Sequence, residues 1–190
     1  MSTSDELSQA LSIGDSASHS IERGPASLVE PLRPRGKFHI QHFDRHGNLL
    51  GTYDLNNGIT DLGLNALLDV KFHSGTQVTT WYIGLIDNAS YSALSNSDTL
   101  ASHTGWVESS AYTNSTRPQW TVGAASSRSS TNSSTVDFTM NATTTVKGIF
   151  IASDNTKGGT TGELWSTAAF GSNVVLNSGD TLKTTYTVSG

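Results

Sequence analysis

Apolar side chains recur at every second position through much of this chain, and a period of two confines it to strands that each bury one face. The clearest runs are Trp81/Ile83/Leu85, Val136/Phe138/Met140 with Thr135, Asp137 and Thr139 opposite, and Leu182/Tyr186/Val188 with Lys183, Thr185 and Thr187 opposite. Residues 146–153 (VKGIFIAS) break the alternation, because Val146 and Phe150 lie on one parity and Ile149 and Ile151 on the other. That pattern predicts a central strand covered on both sides.

A hairpin is expected where KFHIQHF (residues 37–43) is followed by NLLGTYDL (residues 48–55), with Gly47 supplying the positive φ of a tight reversal. The period changes once. Ile59, Leu62, Ala66, Leu67 and Val70 fall at helical spacing, with Asn57 or Thr60 placed as cap and Gly75 beyond the end. Residues 124–135, 157–162 and 177–180 are polar and are expected to be exposed loops. The fold class implied is mainly β, an antiparallel β-sandwich or jelly-roll-like domain of about eight short strands with one short helix.

Residues 1–36 form a different kind of segment, expected to be an extended N-terminal arm ahead of a β-sandwich domain at 37–190. Pro25, Pro31 and Pro34 deny it regular structure, and only Thr3 and Glu6, at capping-box spacing before Leu7, Ala10 and Leu11, could open a short helical turn. A length of 190 residues accommodates one well-packed domain and such an appendage, not two full domains.

Charge narrows the partners. The net charge is -5, and Lys and Arg are scattered without a basic stripe, so neither nucleic acid nor an anionic membrane is an expected partner. No apolar run approaches the ~20 residues that span a bilayer. Asp5 and Glu6 stand where a signal peptide would be basic, so synthesis as a soluble chain in the cytoplasm is expected. The absence of cysteine excludes disulfides, thiolate metal sites and a cysteine nucleophile.

The remaining chemistry is sparse. His39 and His42 are an odd number apart on a strand and point to opposite faces, which argues against joint chelation, and His19, His46, His73 and His103 are scattered. No G-x-S-x-G elbow, phosphate loop or EF-hand loop occurs. The acids Asp87, Glu108, Asp137 and Glu163 show no paired spacing suited to glycoside hydrolysis. Trp81, Trp106, Trp120 and Trp165 sit in strand-like runs and are expected in the core rather than on a sugar-stacking platform. The sequons at Asn88, Asn114, Asn132 and Asn141 follow from the Ser/Thr-rich composition. No catalytic, cofactor-binding or metal-binding residues are therefore assigned, and an enzyme is not expected.

One set of features taken together does carry a resemblance. It comprises Gly63-Leu64-Asn65 in the helix, the WYIGLID strand at residues 81–87, Arg117-Pro118-Gln119-Trp120, the Ser-rich stretch after it, and the closing GDTLKTTYTV. Over roughly residues 37–189 the chain resembles a group of tailed-phage and prophage virion structural proteins. That resemblance implies a non-enzymatic capsid decoration (cement) protein, without cofactors, on the outer surface of the head. It would bind the major capsid protein as a homo-oligomer, a dimer or trimer at a lattice symmetry axis. A structural or receptor-binding module of a tail or head fibre is the alternative. Expected partner-binding residues are Leu7 and Leu11, then Ile21, Leu28, Val29 and Leu32 as apolar anchors, with Arg33 and Arg35 as donors to a partner's carboxylates.

Overall fold

The computed structural model describes residues 33–190. Ten strands and one helix follow in order: β1 (Arg35–Phe43), β2 (Leu49–Ile59), α1 (Asp61–Phe72), β3 (Trp81–Asp87), β4 (Glu108–Ser109), β5 (Gln119–Trp120), β6 (Ser129–Thr131), β7 (Val136–Thr139), β8 (Thr144–Ala152), β9 (Leu164–Leu176) and β10 (Thr181–Ser189). All pairings are antiparallel, in the order β4-β3-β8-β9-β2-β1-β10-β6, with β5 also on β3 and β7 also on β10.

The expected hairpin forms β1 and β2, and Gly47 adopts φ +83° in its turn. Phe38, Ile40 and His42 point inward from β1 while Lys37 and His39 stay exposed, which is the alternation of a half-buried strand. The link between the two halves of the sheet is narrow: β2 meets β9 only at Gly58 and Ile59, opposite Thr167 and Ser166. The sheet curls there. Phe38, Ile40, Phe138, Leu182 and Tyr186 from one half pack with Ile83, Leu85, Ile149, Ile151 and Phe170 from the other. The result is a mainly β, antiparallel, sandwich-like domain.

A second cluster, Ile86, Leu100, Trp106, Phe150, Ala152 and Leu164, covers the far side of β3 and β8. It explains why β8 is buried on both faces, as its mixed parity predicted. The same cluster overturns the one-faced expectation for β3, where residues 83–86 are all buried. Residues 88–107 fold over that face, and Trp106 anchors them by donating from Nε1 to Asp98 Oδ2 at 2.9 Å while His103 stacks on its ring at 3.9 Å. Alternation in a strand reports only the first sheet face to be covered; a folded-back loop can cover the second.

Two of the expected loops also differ. Within residues 124–135, Ser129–Thr131 form β6 on the edge of β10, because pairing needs only backbone and the positive φ of Ser127 and Arg128 turns the chain sharply. In the turn at residues 177–180, Asp180 is buried, where its carboxylate accepts from the Asn177 amide at 2.8 Å and from His42 Nε2 at 2.9 Å.

The helix begins where a cap was expected. Thr60 Oγ1 accepts from the Gly63 amide at 3.0 Å and donates to the Leu164 carbonyl, so one hydroxyl both caps α1 and ties it to β9. Thr60→Ala should therefore cost about 1–2 kcal/mol in urea unfolding, at the upper end for a lost cap because the tie to β9 goes with it.

A groove walled by the helix and three tryptophans

Helix α1 touches the domain through its smallest residue. A Cβ at Gly63 would lie 2.9 Å from the Trp165 ring and from the Trp165 carbonyl, so only glycine permits this approach. Gly63→Val should lift α1 from β9 and cost about 1–3 kcal/mol, read in urea unfolding and in the intensity of the Trp165 fluorescence.

The apolar stripe itself finds little cover. Of the residues at helical spacing only Ile59 is buried, whereas Leu62, Leu67 and Val70 are 38%, 40% and 38% exposed, and off the stripe Leu68 and Phe72 are 52% and 78% exposed. The spacing correctly predicted a helix, but a period says which side is apolar and not what will cover it.

Beside this face runs a groove of about 220 Å³ lined by Ala66, Leu67, Val70, Trp81, Trp120 and Trp165, with Val78 and Val188 completing the apolar wall. Its polar side chains are Gln77 and Glu163. The tryptophans are held in place by their polar ends: Trp165 Nε1 donates to the Tyr186 hydroxyl at 3.0 Å and Trp120 Nε1 to Asn132 Oδ1 at 3.2 Å. Trp81 lies against Trp165 with ring centroids 6.0 Å apart. Trp106 and Trp120 are buried as expected for core residues, but Trp81 and Trp165 are half-buried and present surface to the groove. At one end the groove meets a second hollow, which shares Leu67, Trp165 and Val188 and adds Pro34 and Ala125.

Glu163 is half-buried in this apolar wall, and burial raises its pKa to about 7. An acid whose folded pKa lies above its unfolded value favours folding when protonated, so this contribution is lost as pH rises from about 4.5 to about 7. Glu163→Gln should match the parent at pH 4 and exceed it at pH 8 by on the order of 1 kcal/mol, a figure reduced for solvent screening. Urea midpoints at the two pH values check this.

The other ionic groups are tied into the scaffold. Arg117 donates from Nε and Nη2 to the two oxygens of Glu108 at 2.9 and 2.8 Å, and also to the carbonyls of Asp154 and Gly159 at 2.8 and 3.1 Å. Asp87 accepts from the Ala89 amide and from Thr144, and Asp137 projects outward from β7. His39 bonds Asp54 on the outer face of β1, opposite in direction to the inward His42. Among the described residues no three His, Asp or Glu side chains gather as a metal-ligand set. Among them, too, no helix is long and apolar enough to cross a membrane.

Of the partner-binding residues expected from sequence, Leu7, Leu11, Ile21, Leu28, Val29 and Leu32 lie outside the described residues. Arg33 is exposed ahead of β1; Arg35 is exposed and is the first residue of β1, paired with Ser189. The groove was not foreseen. Its one local signal is the pair Leu67-Leu68 with Phe72, which makes α1 apolar on more than the side that a single stripe needs. Compared with known proteins, the chain matches no family model and no curated sequence.

Proposed function

We propose that this chain is a structural component of a tailed-phage particle, a decoration protein that binds the major capsid protein lattice and stabilises the head. The observation that carries this reading is the exposed apolar surface of α1, where Leu67 and Val70 border the groove while Leu68 and Phe72 lie on the side of the helix opposite Gly63. Large apolar side chains exposed together on one short helix mark an interaction site. The resemblance over residues 37–189 supplies the setting, and a sandwich-like domain with a rigid interior supplies a platform that can dock without reorganising. The action is binding rather than turnover. Arm residues ordered on a lattice would cost about 1–2 kcal/mol each in backbone entropy, so contacts elsewhere on the domain are needed to offset it, and the α1 face is suited to provide them.

The test is cosedimentation with capsids stripped of the protein, using the intact chain, a chain lacking residues 1–32, which leaves β1 whole, and Leu68→Ser/Phe72→Ser. Saturable binding by the intact chain, with a gain in heat resistance of the shell, is the expected result. The double serine variant should bind at least tenfold more weakly, because both side chains are already exposed and their loss leaves the fold intact. No binding by the intact chain would overturn the head assignment and favour the fibre module.

A further inference from the structure

The groove holds one charged group that the scaffold leaves unanswered. Glu163 is fixed through its backbone, its amide donating to Ser153 Oγ at 2.7 Å and its carbonyl accepting from the Ser153 amide at 2.9 Å. Among the described residues nothing donates to its carboxylate, and burial alone is what raises its pKa. Glu163 and Trp165 alternate with Leu164, so they share one face while Leu164 is buried in the second cluster on the other. Trp81 pairs with Trp120 across β3 and β5, which brings these rings to the same end of the sheet. A carboxylate set in an apolar wall is costly until a cation meets it.

The wall also says what kind of cation it suits. The Nε1 donors of Trp165 and Trp120 are engaged by Tyr186 and Asn132, so these rings offer carbon surface. A sugar would bring several hydroxyls to side chains of which Gln77 and Glu163 alone are polar, and most would go unpaired. An uncharged apolar ligand would bury the carboxylate further and give it nothing. A primary ammonium or a guanidinium needs an acceptor for each N–H, and among the side chains of this wall only Glu163 and Gln77 supply any. A quaternary ammonium needs none: its charge is spread over methyl groups that pack on ring faces, and tryptophan attracts a cation most strongly of the rings. Trp81 and Trp165, inclined at 58° with centroids 6.0 Å apart, make a corner rather than a flat platform. The groove volume of about 220 Å³ lies below the range of about 300–1,000 Å³ that whole drug-sized ligands occupy, so one small head group is the fit.

We propose that the groove between α1 and the Trp81–Trp165 pair binds a quaternary ammonium ligand of the choline class, its methyl groups packed on the two rings and its charge set against the Glu163 carboxylate. This goes beyond the decoration reading and does not depend on it. Leu68 and Phe72 are not part of the groove wall, so the same chain can hold the ligand and a capsid surface at once.

The test is titration of the full chain with choline at pH 8, above the Glu163 value of about 7, followed by tryptophan fluorescence and by the heat of binding at constant ionic strength. The uncharged comparison is 3,3-dimethyl-1-butanol, which has the shape of choline with carbon in place of nitrogen. Saturable binding of choline is expected, with the alcohol weaker by about tenfold or more. Glu163→Gln, which should stay folded at this pH, is expected to weaken choline by about tenfold and to leave the alcohol unchanged. Trp81→Leu, checked for folding by urea, should weaken choline while keeping an apolar wall. Glycerophosphocholine is titrated beside choline, and whichever binds more tightly names the source as a head group or the free alcohol. Equal affinity for choline and the alcohol, binding that neither variant changes, or no saturable binding would each overturn the proposal. Arg33, next to Pro34, and Arg128 stand at the adjoining hollow and are the chain's own rivals for the carboxylate. Binding that appears only in Arg33→Gln/Arg128→Gln would show the site closed by one of them and would overturn it too.

Discussion

Replacing Arg117 by alanine is expected to lower the free energy of unfolding by about 3–5 kcal/mol, the cost of leaving one half of a buried ion pair without its partner. The Glu108 side chain is 6% exposed and would be left without its partner in a site built around a guanidinium. Two carbonyls, those of Asp154 and Gly159, would lose a donor in the same step, and the ring of Phe150 would lose the cation 5.0 Å from its centroid. Because those carbonyls belong to the connection between β8 and β9, residues 153–163 should also become the first site of proteolytic cleavage. Lysine at 117 restores the charge but not the two-pronged geometry and should recover less than half of the loss. The pair is not in itself a large source of stability: Arg117→Met with Glu108→Leu should be much closer to the parent than Arg117→Ala is. Urea unfolding of the three variants separates these outcomes.

The second large effect is expected at His42. Its ring and the Asp180 carboxylate are both almost wholly buried, and their contact joins β1 to the turn between β9 and β10. His42→Ala removes the imidazole donor, leaves the carboxylate with the Asn177 amide and opens a cavity, at a cost of about 2–4 kcal/mol. Asp180→Asn keeps an acceptor for both donors and should cost clearly less. Equal losses in the two variants would show that the charge matters more than the hydrogen bonds, a comparison that urea midpoints make directly.

Much of the architecture could be read from spacing. β1, β2, β7, β8 and β10 were all legible because their core-facing residues are large and apolar, and a large side chain at the wrong parity would be left in water; α1 was legible from its helical spacing and cap alone. β9 was not, although it is the longest strand: Ser166, Thr167, Ala168 and Ala169 carry too little apolar surface to set a period. β4, β5 and β6 are two or three residues long and exist through backbone pairing with longer neighbours, which no side-chain pattern records. The buried pairs Arg117–Glu108 and His42–Asp180 are set by tertiary packing and had no local signature. The groove escaped notice for a related reason: four tryptophans in strand-like runs are ordinarily core, and what separates Trp165 from Trp106 is that one lies under a glycine of a partly uncovered helix and the other belongs to a loop that folds it down onto the sheet.

The place of β1 in the sheet decides how the domain would carry a load. It is zipped to β10 on one side and to β2 on the other along nearly its whole length, and its first residue is where the preceding segment attaches. Tension applied through that segment to a domain held elsewhere pulls β1 along its own axis, so both ladders are sheared and their hydrogen bonds share the force at once. Tension between that segment and the end of β10 is different, because Arg35 faces Ser189 and the two strands would peel apart rung by rung. Of the two directions, this sheet order resists the first far better, because a sheared ladder loads all its hydrogen bonds together while a peeled one breaks them in turn.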